Sequence, residues 1–224
     1  MTTLSDEEMR RASHFDRRHN REAFAVGRGT VRRIISNYIG RPPSSISIST
    51  GEYGKPMLDP HHGLHVNWSH TDTFWLFAIS SSGPVGIDIE RMDPGLDWAG
   101  PAVIAYHASE LAYLSEAQDP RPFLDIWTRK EAVFKGTGKG LHDSMNLTSV
   151  LGPNGTPSDL LSLGEAGEWS LTPLPVPEPF VATLATSFIP TKVQFLVDRR
   201  LQAGPAGATE RSCLARSQQR RVSQ

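Results

Sequence analysis

The chain has 224 residues, 38% hydrophobic and 21% charged, which suffices for one large domain or two small lobes around a real core. A formal net charge of −1 excludes the broadly basic surface of a nucleic-acid or acidic-membrane binder, so any attraction for anions has to be local. The single cysteine, Cys213, excludes an intrachain disulfide and fits a reducing cytoplasm; the charged start MTTLSDEEMRR predicts no secretory signal, and the run around FWLFAI is too short to span a bilayer.

Ser5 is placed to cap a helix whose first turn carries Asp6, Glu7 and Glu8. The helical pattern continues, with a break, to Tyr38. Its second part has Phe24, Val31, Ile34 and Ile35 at helical spacing and the arginines Arg21, Arg28, Arg32 and Arg33. Gly40 and Pro42–Pro43 stop it. Short strands follow: ISIST (46–50), a turn at GEYGKP, HVNWS (65–69), TFWLFAIS (73–80) and VGIDIE (85–90). After a break rich in Pro and Gly come two helical patterns, SELAYLSEA (109–117) and FLDIWTRKEAVFKGTG (123–138). EWSLTPL and FVATLAT read as strands joined by PVPEP, and VQFLV (193–197) as a last strand. From about Gln202 the chain is polar and reads as disordered. No internal repeat is legible. The fold class is α+β with mostly antiparallel sheets.

In VGIDIER, Asp88 and Glu90 share one strand face with Gly86, which has no side chain and would leave room for a ligand there. Two readings stand for the acids: a solvated face, or oxygen ligands for a hard divalent cation such as Mg²⁺. In the helix from Phe123, the residues Phe123, Trp127 and Phe134 form the core face, with Ile126 and Val133 on its flanks. Glu131 and Lys135 stand one turn apart at its edge, as a surface ion pair or as members of a site. Glu131 would be the third acid. Lys130 falls within the apolar arc; it either snorkels or meets an anion. Lys55 in the Gly-Lys-Pro turn, and Ser69 and His70 at a strand end, are either turn residues or donors to a phosphate. GTGKGL follows a helix instead of preceding one, so it is a helix stop and not a P-loop.

Four stretches in this order, GKPML (54–58), NWSHT (67–71), VGIDIE (85–90) and FLDIWTRKEAVFKGTGKGL (123–141), closely resemble the surfactin-type 4′-phosphopantetheinyl transferases. The resemblance runs from about Leu4 to about Ala185. It implies a pseudo-twofold pair of similar α+β lobes, here 1–94 and 95–201 with a tail at 202–224, and coenzyme A in the cleft between them. It places Mg²⁺ on Asp88, Glu90 and Glu131, with Glu131 and Lys135 as the catalytic pair. Lys55, Ser69, His70, Lys135 and, in the N-terminal helices, Arg11 and Arg21 are the residues expected to bind coenzyme A, and Lys130 is added for its anion partner. The implied reaction moves the 4′-phosphopantetheine arm of coenzyme A onto a serine of an apo acyl or peptidyl carrier protein and releases 3′,5′-ADP. A monomer in the cytoplasm is expected, with no nucleic acid and no membrane as partner. The alternatives are a non-catalytic carrier-binding relative and another Mg²⁺-dependent phosphoesterase. The family opens with a β-strand before the helix matching LSDEE, whereas this chain starts almost at that helix, so the expectation is either a missing edge strand of the first lobe or an internal start. The family's second serine in its SHS motif is Thr71 here.

Overall fold

The computed structural model describes residues 3–71, 74–93, 95, 97–138 and 145–196. Residues 1–189 form one compact unit; 190–224 form another, of which only 190–196 are described. The expected tail from Gln202, the KGL of the helix stop and Thr73 lie outside the described residues.

Ser5 caps α1 (Asp6–Ser13) in a full capping box with Glu8, and α2 (Arg18–Ile39) ends on Gly40 in the left-handed conformation, as its spacing requires. Two small antiparallel ladders follow, β1 (Ile48–Thr50) with β2 (Pro56–Leu58), and β3 (His65–Thr71) with β4 (Phe74–Ser80). The strand β5 (Val85–Arg91) then leaves these hairpins. It pairs with β8 (Phe180–Thr186) at one edge of a four-stranded antiparallel sheet, ordered β5, β8, β7 (Glu168–Pro173) and β6 (Leu160–Ser162). Between them lie α3 (Ala99–Ala105), α4 (Ala108–Leu114) and α5 (Arg121–Thr137).

Three expectations change. The proline-rich break contains α3, because Pro101 sits in its first turn, where no intrahelical N–H bond is lost. No ladder forms at 193–196 among the described residues, and Val197 lies outside them. Alternation alone does not make a strand without a paired neighbour. The third concerns α5. Its fully buried residues include Leu124, Ile126, Ala132 and Val133, while Phe123 and Trp127 are half-buried. The helix is covered on more than one side: Ile126, Ala132 and Val133 join the core cluster of Trp169 and Leu171, and another side meets β5 and β8.

A structural repeat, silent in the hydrophobic pattern, relates the two halves of this unit. Gly51 donates its N–H to Lys55 O (2.8 Å) and Gly54 to Gly51 O (3.0 Å); Gly152 and Gly155 make the same bonds to Thr156 and Gly152 (2.8 and 2.9 Å). Gly54 and Gly155 both have positive φ. Each half also has a capping box whose glutamate turns inward to a buried cation of the next long helix. Glu8 accepts from Arg32 and from Arg28 (2.6 Å), and Arg32 also reaches the carbonyls of Pro43 and Ile46. Glu110 accepts from Lys130 at 2.7 Å, and Lys130 also reaches the carbonyl of Thr148. Each of these carbonyls lies in or beside a short 3₁₀ turn that follows its long helix.

Backbone contact between β5 and α5 fixes everything nearby. A Cβ on Gly86 would stand 1.9 Å from the carbonyl oxygen of Ala132 and 2.4 Å from the nitrogen of Gly136. Gly86 thus makes room for the helix, not for a ligand as an empty strand face suggests. Gly86→Ala should cost at least about 2 kcal/mol, lowering the melting temperature by roughly 4–8 °C in calorimetry. An unchanged melt would mean that the strand and helix do not touch through their backbones.

Lys130 and Glu110 are both fully buried. Lys130→Met leaves Glu110 without its cation, so a stability loss on the order of 3 kcal/mol is expected. Thermal melts check this; an unchanged melt would mean that Lys130 and Glu110 are not paired in the core.

Candidate active site

The side chains of Asp88 and Glu90 leave β5 on the face that α5 covers. Asp88 Oδ1 accepts hydrogen bonds from Lys135 Nζ (2.6 Å) and from the Ser69 hydroxyl (2.8 Å). Lys135 also donates to Ser69 Oγ (3.2 Å) and lies 3.8 Å from Glu131 Oε2. The shorter bond goes to the strand and not to the helix neighbour, so Glu131–Lys135 is not a self-contained surface pair. Glu90 accepts from the indole N–H of Trp127 at 3.3 Å. That contact ties Glu90 to α5 one turn before Glu131. The core pattern alone assigned Trp127 to packing and did not reveal it.

The acids strain against one another. Burial, then the charge of Asp88, pushes Glu131 up to about 7 despite Lys135, and the same causes in the same order push Glu90 up to about 6. Asp88 Oδ2 is buried and receives no hydrogen bond from the described residues. A buried carboxylate oxygen without a donor is costly, and a cation or its water answers that cost. Among the described residues, no three carboxylates, imidazoles or thiols stand together as a ready metal cage. Mg²⁺ does not require one, since it keeps several waters and takes one or two carboxylates. The donor chemistry therefore fits a hard dication, with Lys135 now serving as the positive charge among the acids.

The remaining expected residues are dispersed. Ser69 is inside the cluster, facing Asp88. His70 is exposed and lies against the Trp75 ring, the centroids 4.3 Å apart and the planes tilted by 35°. Lys55 crosses from the β1–β2 turn to donate to the carbonyl of Gly136 at the end of α5, and burial lowers its pKa. Arg11 lies over the Phe24 ring at 5.4 Å and Arg21 donates to Phe15 O at 3.1 Å. Both arginines are exposed, and no contact among the described residues joins either to the acids. Lys130 is not at the cluster at all: its ammonium is spent on Glu110 and Thr148 O. A cleft of about 360 Å³ lies between the start of α5 and the β7–β8 hairpin, lined by Tyr113, Arg121, Asp125, Leu174, Phe180 and Val181; its lining includes none of the three acids.

Comparison with known proteins decides the family. Residues 84–185, from just before β5 to the last residues of β8, match the model of the 4′-phosphopantetheinyl transferase superfamily. The 4′-phosphopantetheinyl transferase HetI of Nostoc sp. (strain PCC 7120) is 32% identical over 191 residues, covering 83% of this chain and 79% of that protein. The chain belongs to the 4′-phosphopantetheinyl transferase superfamily. The 4′-phosphopantetheinyl transferase Sfp of Bacillus subtilis (strain 168) is 30% identical over 151 residues, 67% of each chain. The 4′-phosphopantetheinyl transferase AcpT of Escherichia coli (strain K12) is 33% identical over 121 residues, covering 53% of this chain and 58% of its own. The match to the superfamily model contains Asp88, Glu90, Glu131 and Lys135. Lys55, Ser69 and His70 lie before it.

The raised pKa of Glu131 has a sign. Folding holds its proton more tightly than the unfolded chain does, so in the absence of a divalent cation it costs nothing below about pH 4.5. That cost grows as the pH rises towards 7 and is complete above it. In EDTA, the melting temperature of Glu131→Gln relative to the unmutated protein should therefore rise by roughly 3–8 °C between pH 5 and pH 8. A relative fall over that interval would mean that Glu131 is held by Lys135 as an ordinary ion pair.

Proposed function

We propose that the Asp88–Glu131–Lys135 cluster is the transfer centre of a coenzyme A-dependent 4′-phosphopantetheinyl transferase whose acceptor is a serine of an apo acyl or peptidyl carrier protein. The single observation behind this reading is that Lys135 bridges the strand acid and the helix acid, inside the segment that matches the family. Asp88, Glu90 and Glu131 are the residues that would hold Mg²⁺. When bound, Mg²⁺ supplies neutralisation of the pyrophosphate charge.

The serine Oγ attacks the β-phosphorus of coenzyme A, the one bearing pantetheine. A new P–O bond forms, the bond to the bridging oxygen breaks, and 3′,5′-ADP leaves with that electron pair. Glu131, or a water that it orients, would take the serine proton. Lys135 moves its charge from Asp88 towards the leaving phosphate, which it stabilises in place or protonates. Ser69 holds Asp88 in orientation by its 2.8 Å bond. Lys55, fixed at the end of α5 beside Lys135, and His70 on the rim bind the nucleotide end, with Arg11 and Arg21 assigned to its 3′-phosphate. The paired lobes 1–94 and 95–201 flank the coenzyme in this reading. The protein acts as a monomer in the cytoplasm. No helix among the described residues is long and apolar enough to cross a membrane.

Mass spectrometry of apo carriers incubated with coenzyme A, with and without Mg²⁺, tests the function: the arm should appear on serine only with the metal. Steady release of 3′,5′-ADP without a carrier would indicate a phosphoesterase instead. Asp88→Ala should abolish most transfer. Lys135→Ala should lower turnover about 10²–10³-fold, and Lys135→Arg should recover part of it. Because Lys135 offsets the buried acids, Lys135→Ala should also melt lower in EDTA at pH 8 and regain stability on adding Mg²⁺. Near-normal turnover in Asp88→Ala and Lys135→Ala would remove the cluster from the chemistry.

A further inference from the structure

We propose that Asn67 is a positioning residue of this transfer site, holding β5 at the residue before Asp88 so that the carboxylate keeps its direction. This rests on the reading of Asp88 as part of the reaction centre.

β5 pairs along one edge with β8. In an antiparallel strand successive N–H groups point to opposite edges, so alternate ones leave that ladder. The N–H of Ile87 is one of these. β3 packs beside this part of β5, yet no ladder joins the two strands among the described residues. A side chain does the work instead: Asn67 Oδ1 accepts the Ile87 N–H at 2.9 Å. Asn67 and Ser69 are alternate residues on β3 and share a face. Asn67 fastens the backbone of Ile87, and Ser69 fastens the carboxylate of Asp88. Both are buried, with 3% and 7% of their surface exposed, so water does not compete for either bond.

The two holds have different consequences. The Ser69 hydroxyl and the Lys135 ammonium act on the carboxylate itself, and Lys135 leaves it when it serves the phosphate. The Asn67 contact acts on the Gly86–Ile87 peptide, one residue before Asp88, and persists through the reaction. Without it the Ile87 N–H is buried and unpaired, and β5 is free to twist on that side, which turns Asp88 away from Glu131. Errors of about 1 Å in such a centre cost about 10²-fold in rate, and loss of a group that orients a ligand residue costs about 10–100-fold.

The test uses the full chain with coenzyme A, Mg²⁺ and an apo carrier. Asn67→Ala should lower kcat about 10–100-fold while changing KM for coenzyme A less than about threefold. Val66→Ala is the stability control, since Val66 lies on the same strand in the core cluster of α2 and makes no bond to β5; it should lose comparable melting temperature and keep kcat within about twofold. Titration calorimetry of Mg²⁺ into the coenzyme A complex gives a readout without turnover. Asn67→Ala should weaken Mg²⁺ binding about tenfold or more in the unmutated background and change it less than about twofold on top of Asp88→Ala, because the two residues act through one carboxylate. Asn67→Ser, which keeps an acceptor, should show an intermediate loss of kcat and carries the comparison if the alanine variant does not fold. Normal kcat in the Asn67 variants, or equal losses of affinity with and without Asp88, would reduce Asn67 to a structural residue. Normal turnover of Asp88→Ala would overturn the site itself; an inactive Asp88→Ala beside a normal Asn67→Ala overturns only this inference.

Discussion

Packing of α5 against β5 at backbone distance is the constraint on which the site depends. Gly86 and Gly136 have no side chains to hold the two elements apart. The strand acids Asp88 and Glu90 are therefore pressed against the helix that carries Glu131. Three carboxylates withdrawn from water repel each other, and two of them gain protons near neutral pH as a result. Lys135 is the local answer, with its short bond to Asp88. The arrangement is poor as a stabilising device; in the proposed reading a bound dication and pyrophosphate would supply the missing positive charge and free the lysine for use elsewhere. Stability is given up here and recovered in the core beneath, where Ile126, Val133, Trp169 and Leu171 pack without polar strain.

The repeated framework explains how one chain presents such a site. Both halves use an inward-turned capping-box glutamate to anchor a cation from the following long helix, and both use a glycine turn of the same geometry. The two turns also differ: where the first carries Lys55, reaching α5, the second carries Thr156. α2 spends Arg28 and Arg32 on Glu8 as α5 spends Lys130 on Glu110. Buried ion pairs of this kind contribute little net stability but are damaging to break, because a lone buried charge remains.

The local elements were legible because each had a short-range cause. Ser5 and Glu8 announce the first helix, Gly40 its end, and the alternation in VGIDIE its strand. The acids and Lys135 were legible through their resemblance to the family, while their spacing left a plain surface reading open. What stayed hidden depends on distant residues. Lys130 lies in an apolar arc for a reason found twenty residues away, in Glu110. Gly86 looked like room for a ligand because nothing in its own strand reveals the helix above it. The repeat left a trace, Gly-x-x-Gly-x-Pro at 51–56 and again at 152–157, but so short a pattern is common in turns. α3 was missed because proline and glycine in a first turn look the same as a break.

Crystals grown with coenzyme A and Mn²⁺, with the metal located by its anomalous scattering, test the central claim most directly. The account predicts an anomalous peak bonded to carboxylate oxygens of Asp88 and Glu131 beside the pyrophosphate, with Lys135 Nζ withdrawn from Asp88 and facing a phosphate oxygen. A peak elsewhere on the chain, or a bound pyrophosphate with the Lys135–Asp88 bond intact, would contradict it.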